Sequence, residues 1–481
     1  MDYRAVFLQR KALRFVVSAL ITLSFISFLL VPRHARETTL HLSPTPVAED
    51  VEDKQLVMPP PPPDYVASSQ EAPFCANLFG MAYLENSRDV AAEYCAPQSP
   101  STLTCFHNQA SGSRVDTLCL AQGASFNVSR QKFVLDCELQ QPSKPDSPFD
   151  IPQYGRFENY WYNTGPNVVF DNLIDLQNDS STSTETAHGC ANFTILVNRE
   201  GATNPWHTLM EIFSMTMTID ILQMSRGANS ERTLFTAADI DNTQVLIMDN
   251  HENGPFFDLW SLFAKGPALR LHDLKPDLSI EQQNLIIPLA GGSNPLWQGD
   301  WEPHSCKNSP LLRTFSNRVL DFYGLKERLP EGPEIVVTFI NRTGSRRLTH
   351  SEEYLQAVEA NIPHIRLQSF DFATMSLERQ LDIIRRTDVL VGVHGAGLTH
   401  GIFLSQGSAM VEILPAGLNH KGFRNVASLL GHSYFSTHAT RASNNDWHNE
   451  DVFLENDRFM DIMNIAIKAV YNKGGKNFDA V

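Results

Sequence analysis

Two groups of residues in this chain have the types and spacing that could do chemistry on an anion. Arg342, Arg346 and Arg347 put three guanidiniums within six residues, directly after an apolar run, Ile335–Ile340, that reads as a strand. Such a cluster at a strand end can hold a diphosphate through charge-assisted, bidentate hydrogen bonds; the bland alternative is a solvated basic loop. The second group is the turn His394-Gly395-Ala396-Gly397, which follows a second apolar run, Val389–Val393, and opens a helical segment. In open α/β sheets ligands bind outside the carboxyl ends of strands, where helix N-terminal N–H groups are available to phosphate. The turn fails as a dinucleotide fingerprint. Read as G-x-G-x-x-G it puts His400 where the third glycine belongs, and Glu412 comes early for a ribose partner. Hydride transfer is therefore not the expectation.

Proton transfer needs a different set. His207 and Glu211 stand at i and i+4 in a helical segment from Trp206 to about Met224 and so share a face. They read equally as a surface pair or as cleft residues. Asp249 ends a predicted strand, Val245–Met248, and is a third candidate. Asp239-Ile-Asp241 has the Asp-x-Asp form of metal-dependent transferases, but it precedes a strand instead of ending one and reads as a loop. No metal site is expected.

The elements that must position these residues fall into two alternating series. Over 333–440, strands at Ile335–Ile340, Ile365–Leu367, Val389–Val393, Met410–Leu414 and Tyr434–Ser436 alternate with helices near 352–360, 376–386, 398–404 and 422–430. Strict alternation of this kind predicts a parallel, doubly wound sheet. A first α/β domain is expected over 151–310, an amphipathic connecting helix over 311–332, and a C-terminal helical segment over 441–481 that packs back across both domains.

The motif array resembles glycosyltransferase family 61. The family pattern is a strand ending in Arg (Arg342), a Ser-Arg-Arg turn (345–347) and a Gln on the next helix (Gln380). His-Gly-Ala-Gly-Leu-Thr (394–399) and a Val-Glu-Ile strand (411–413) complete it. The likeness is strong over about 330–440 and fainter over 190–265, where Asn204-x-x-His207 with Glu211, and Asp249 with Phe256 to Trp260, resemble the family's upstream motifs. The resemblance implies a GT-B-like fold of two Rossmann-like domains facing a cleft. It also implies an inverting glycosyltransferase using a UDP-sugar, with no metal or other cofactor required. UDP-GlcNAc moved to a Ser/Thr hydroxyl of a glycoprotein is the first expectation, because Gly-Leu-Thr-His is most similar to that branch. UDP-xylose moved to an N-glycan is the runner-up, and an inactive relative that binds glycan or nucleotide is the alternative of another class. Within this reading Arg342 and Arg347 hold the diphosphate, with Arg346, Gly395, Gly397 and His394 beside them. His394 alternatively braces the turn. Glu412 accepts from ribose hydroxyls or pairs with Lys421 or Arg424, and the base is one of Glu211, His207 and Asp249.

Composition fits that compartment and that partner. A net charge of −16 over 481 residues argues against a nucleic-acid partner, which needs a basic face. Residues 1–14 read as a cytosolic tail. An uncharged apolar run at 15–31, within a segment 15–32, is long enough for a short membrane span of about 17–25 residues. Arg4, Arg10, Lys11 and Arg14 before it outnumber Arg33 and Arg36 after it, which orients the body into the lumen of the Golgi or endoplasmic reticulum as a single-pass, type II protein. No small-residue cleavage site follows the run, so it is expected to stay as a signal-anchor. Residues 33–70, with five consecutive prolines at 59–63, read as a stiff stem. Cys75, Cys95, Cys105, Cys119 and Cys137 fit no zinc spacing and are expected to form disulfides within a region at 71–150. Cys190 and Cys306 make seven. Asn127, Asn178, Asn192 and Asn341 begin glycosylation triplets, and Asn341, beside the arginines, is expected to be unoccupied because a glycan there would block the donor cleft.

Overall fold

The second sheet is made of strands whose sequences leave little choice. In a computed structural model, β10 (Ile335–Ile340), β12 (Val389–Val393) and β13 (Ala409–Leu414) are buried along their whole lengths, as near-continuous Val/Ile/Leu runs must be. The edge strands β11 (Ile365–Phe370) and β14 (Ser433–His438) carry several polar residues and are partly exposed. The order is β11-β10-β12-β13-β14, and every pairing is parallel. From β10 the chain steps one way to β11 and then crosses back to β12. The crevice beyond the carboxyl ends of β10 and β12 is thus a topological switch point, where α/β sheets take their ligands. The arginine segment follows β10 and the glycine turn follows β12.

The structure describes residues 58–66, 71–110, 112–178, 192–227, 231–274, 283–325, 333–440 and 448–473. The proposed tail, the signal-anchor, most of the stem and Cys190 lie outside these. Among the described residues no helix is long and apolar enough to cross a membrane.

The first sheet departs from a doubly wound one. Its parallel part is β9 (Gln283–Ile287), β6 (Phe193–Val197), β7 (Thr243–Ile247) and the short β8 (Leu269–Arg270). β3 (Asp116–Asn127) then pairs antiparallel with β9, and β2 (Thr102–Asn108) and β1 (Ala91–Glu93) continue outward antiparallel. A side branch of β4 (Lys132–Asp136) and β5 (Ile174–Gln177) hangs from β3. The cysteine-containing segment is therefore a wing of this sheet.

Helix Pro205–Gln223 lies in the core that joins the two sheets. Nearly all of its side chains are buried, as expected of a helix apolar around its whole circumference. Asn204 caps it by accepting from Trp206 N, and Pro205 occupies the first turn, where its missing N–H costs nothing. Helix Pro310–Phe322 packs beside it, with Phe213 and Phe315 stacked at 5.0 Å. Ser316 from the same helix donates to Ile402 O beyond the glycine turn. Helix Asn456–Lys473 packs on the second sheet and on helix Ser351–Asn361, not across both sheets as expected.

Among the described residues three disulfides form: Cys95–Cys137, Cys105–Cys119 and Cys75–Cys306. They are the chemistry of an oxidising compartment. Only the first two stay within the N-terminal region; Cys75 leaves it, across a sequence separation of 231.

Candidate active site

Arg342 and Arg346 converge on the glycine turn. Arg342 Nε donates to Ser345 O at 2.9 Å, which curls the loop after β10. Arg346 has a positive φ of 58°, rare for a residue with a side chain. Gly395 has φ 151°, and a Cβ there would collide with the Arg342 guanidinium and press on that of Arg346. Gly397 is needed for a different reason, since its Cβ would crowd Ile340 Cγ2 at 3.1 Å. Burial holds the Arg342 pKa below its ordinary value. Burial, and then the charge of Arg342, bring Arg346 down to about 10. Neither makes an ion pair with a described residue, and Arg346 Nε is buried without a hydrogen-bond partner among them. The charge of Asp371 opposes the effect of burial on Arg342, and two half-buried guanidiniums set side by side make this turn a candidate anion site.

Arg347 is elsewhere. It is 57 % exposed and pairs with Asp451, Nη2 to Oδ2 at 2.6 Å. It lines neither of the two large cavities beside the turn.

Those cavities flank the turn. One, of 570 Å³, is walled by Asn341, Arg342, Gln380, Gly397 and His400, with Pro205 and Phe256 from the first sheet's side. Gln380 is buried, donating to the carbonyls of Phe372 and Met375 and accepting from His400. The other, of 680 Å³, is walled by Arg346, His394, Gly395 and Ala396 on one side and by Asn204, His207 and a set of aromatic rings on the other. Four of the chain's six tryptophans, Trp161, Trp206, Trp297 and Trp301, line it.

His394 faces the larger cleft and is braced from behind. Its Nδ1 lies 2.5 Å from Glu412 Oε1, and the Tyr434 hydroxyl donates to Glu412 Oε2. Burial lowers the His394 pKa, opposed by Glu412. Glu412 is fully buried in β13 and lines neither cavity. Its two oxygens meet His394 and Tyr434, and it forms no ion pair with Lys421 or Arg424, the alternative partners expected from the sequence.

Of the three candidate bases only His207 lines the cleft. Its Nδ1 is 3.1 Å from Glu200 Oε2, and its ring centroid is 4.6 Å from Trp297 and 5.2 Å from Tyr162. Burial raises the Glu200 pKa, with His207 opposing. Glu211 points the other way. Its Oε1 accepts from Glu200 N at 2.9 Å, its Cγ packs where a Cβ of Gly291 would be, and it lines a separate 30 Å³ pocket. Burial, and then the charge of Glu200, push its carboxyl far above the usual range. Asp249 is bound by Arg199, Nη2 to Oδ1 at 2.8 Å and Nε to Oδ2 at 3.0 Å. Burial raises the Asp249 pKa, but the Arg199 contacts outweigh it and hold it low. The Arg199 guanidinium also ties down the carbonyls of His251, Glu252 and Asn253, so Asp249 closes a loop. Asp239 likewise caps its own turn through Thr236 and pairs with Arg232.

Sequence reasoning missed Glu200, the pair Asp300–His420 (Oδ2 to Nε2, 3.1 Å) and the aromatic wall. The tryptophans are the available signal, since four of the six in the sequence line this cleft.

Fold and site together define an α/β protein whose parallel sheet sets two arginines at a topological switch point beside an aromatic cleft. Residues 206–411 match the family model Glycosyltransferase 61. The chain is 27 % identical over 229 residues to the EGF domain-specific O-linked N-acetylglucosamine transferase of Drosophila melanogaster, covering 46 % of this chain and 40 % of that protein. It is 30 % identical over 189 residues to the protein of the same name from Bos taurus, covering 38 % and 34 %. For the Rattus norvegicus protein the identity is 31 % over 166 residues, covering 33 % and 30 %. The chain thus spans two fifths or less of the length of these relatives.

Proposed function

We propose that this protein is an inverting glycosyltransferase that moves a sugar from a UDP-sugar to a glycoprotein acceptor. The observation that carries this reading is the convergence of Arg342 and Arg346 on Gly395 at the switch point, across one cleft from His207. Transfer breaks the bond between the anomeric carbon and the diphosphate, and the electron pair leaves with UDP. Preorganised guanidiniums stabilise that charge where it develops. The acceptor hydroxyl gives its proton to His207 Nε2 while its oxygen bonds to the anomeric carbon from the opposite face. Glu200, against Nδ1, stabilises the imidazolium, as a buried carboxylate does for other catalytic histidines. The nucleotide occupies the smaller cavity, and the diphosphate crosses Gly395–Gly397 to bring the sugar into the larger one.

UDP-GlcNAc is the donor of choice, supported by the names of the relatives, and UDP-xylose is its competitor. The reaction is proposed to need no metal, because the two arginines supply the charge. The two sheets are read as the halves of a GT-B-like enzyme, and the disulfides support a lumenal body in the Golgi or endoplasmic reticulum behind a type II anchor.

The test is turnover of a UDP-sugar panel by the full chain, with and without chelator, for wild type and Arg346→Ala. Chelator-resistant turnover of one sugar, reduced about 10²- to 10³-fold in kcat/KM by the substitution, is expected. Binding to no member of the panel sinks the donor site. Binding without turnover or hydrolysis makes the protein the inactive relative.

A further inference from the structure

The donor reading leaves the aromatic wall of the larger cleft unused. Tyr162, His207, Trp297 and Trp161 form a run of neighbouring rings with centroid separations of 5.2, 4.6 and 6.0 Å. Trp161 and Tyr162 remain 56 % and 61 % exposed although they line the cleft. The backbone holds them there at a cost. Tyr162 and Asn163 both have positive φ, 60° and 58°, a conformation that side-chain-bearing residues rarely adopt and that clusters at ligand clamps. The loop is braced from the antiparallel wing. The Tyr160 hydroxyl donates to Asp116 Oδ1 at 2.6 Å, and Asp116 pairs with Arg114 at 2.8 Å. Gly165 is part of the same brace, since a Cβ there would strike the Tyr160 ring. On the opposite side Trp301 is 54 % exposed and 5.0 Å from the His420 ring.

Building on the transferase reading above, we infer that these rings are the acceptor subsite and that the acceptor hydroxyl belongs to a sugar ring already present on the glycoprotein, not to a Ser or Thr side chain. The acceptor oxygen must reach His207, whose nearest rings are Trp297 and Tyr162. A Ser or Thr hydroxyl arrives on a one-carbon stem beside polar backbone and has no flat face to lay on an indole. A pyranose has an apolar face of C–H groups whose positive hydrogens suit the negative face of an aromatic ring. Its edge hydroxyls remain free for Asn204 and Asp300, which line the same cleft. The step balances as before. One sugar hydroxyl loses its proton to His207, a new glycosidic C–O bond forms, and the C–O bond to UDP breaks with its electron pair leaving on the diphosphate.

The test offers the full chain its best UDP-sugar with two acceptor sets, octyl glycosides of common hexoses and pentoses, and Ser/Thr peptides. Transfer to a glycoside is expected. Trp161→Ala and Tyr162→Ala should each raise the glycoside KM about tenfold, equivalent to about 1.4 kcal/mol, with a much smaller change in donor KM. Trp161→Phe and Tyr162→Phe, which keep a ring, should recover most of that loss. Calorimetric UDP binding checks that each variant is folded. Transfer to peptides but to no glycoside overturns the inference and leaves the transferase standing. Equal loss in the Phe and Ala variants also overturns it, since it would make the rings scaffold and not platform. Absence of UDP-sugar binding overturns both.

Discussion

Arg346 and Arg347 are neighbours in sequence and opposites in environment. The positive φ at Arg346 turns the chain so that one guanidinium goes into the cleft and the next goes out to Asp451. Sequence spacing put Arg342 and Arg347 together on the diphosphate, whereas the structure sets Arg346 beside Arg342 at the turn, because a left-handed residue that is not glycine leaves no mark in the sequence. The expected outcome is a strong split. Arg346→Ala should lose donor turnover, whereas Arg347→Ala should change kcat/KM little, since exposed ion pairs contribute little. Equal losses in steady-state kinetics would return Arg347 to the donor site. The buried histidines carry a second, separate prediction. Burial holds the His107 imidazole down to about 3, and its nitrogens meet the hydroxyls of Tyr94 and Thr117, which rotate to suit a neutral ring. The unfolded chain takes that proton near pH 6.5. The resulting stability is therefore complete above 6.5 and is lost as pH falls from there toward 3. At about 1.4 kcal/mol per pKa unit, the loss by pH 5 is about 2 kcal/mol. Urea unfolding at pH 7 and pH 5 should show a difference smaller by about that amount in His107→Gln. Identical differences in the two proteins would sink the assignment.

Elements were more legible than residues where burial was uniform. The strands of the second sheet announce themselves as apolar runs, and the edge strands were read short because their polar residues break the run. The wing was illegible for the converse reason: its strands are cysteine-rich and partly polar, and the pairing of β3 with β9 joins segments far apart in the chain. Helix Pro205–Gln223 was found by its pattern, but being buried all round it gave no hint of which side faces the cleft. That is why Glu211 and His207, one turn apart, end in different cavities. The end of the proline run is another element that composition misreads. Pro59 and Pro62 are buried. Asp64 binds Arg318 at 2.7 Å, Arg318 binds Asp220 at 2.9 Å, and the Tyr65 hydroxyl donates to Asp220 at 2.5 Å. Residues 58–66 are thus strapped to helices Pro205–Gln223 and Pro310–Phe322 instead of standing off as a spacer. Arg318→Ala leaves the buried Asp220 without its cation and should cost about 3–5 kcal/mol. Tyr65→Phe should cost about 1 kcal/mol. Thermal melts that do not move in either variant would mean the strap is only laid against the surface.

At the scale of the whole molecule, Cys75–Cys306 does what neither sheet does alone. It ties helix Pro73–Phe79 to the segment just after Asp300 and Trp301, where Cys306 O also accepts from Ser428 of the second sheet's helix Gly422–Leu430. A covalent link of long separation removes more freedom from the unfolded chain than one of short separation, about 5.5 kcal/mol at this separation against about 3 kcal/mol for a 15-residue loop in the chain-entropy account. The comparison is available within the same protein, because Cys105–Cys119 closes a separation of only 14. The double variant Cys75→Ala/Cys306→Ala should therefore be destabilised more than Cys105→Ala/Cys119→Ala in urea unfolding. Its acceptor KM should rise as well, because the link holds the wall that carries Trp301 and the Asp300–His420 pair. The short-loop variant should lose stability without that change in KM. If both variants lose stability equally and neither alters acceptor KM, the long disulfide is a staple on the chain and plays no part in holding the cleft.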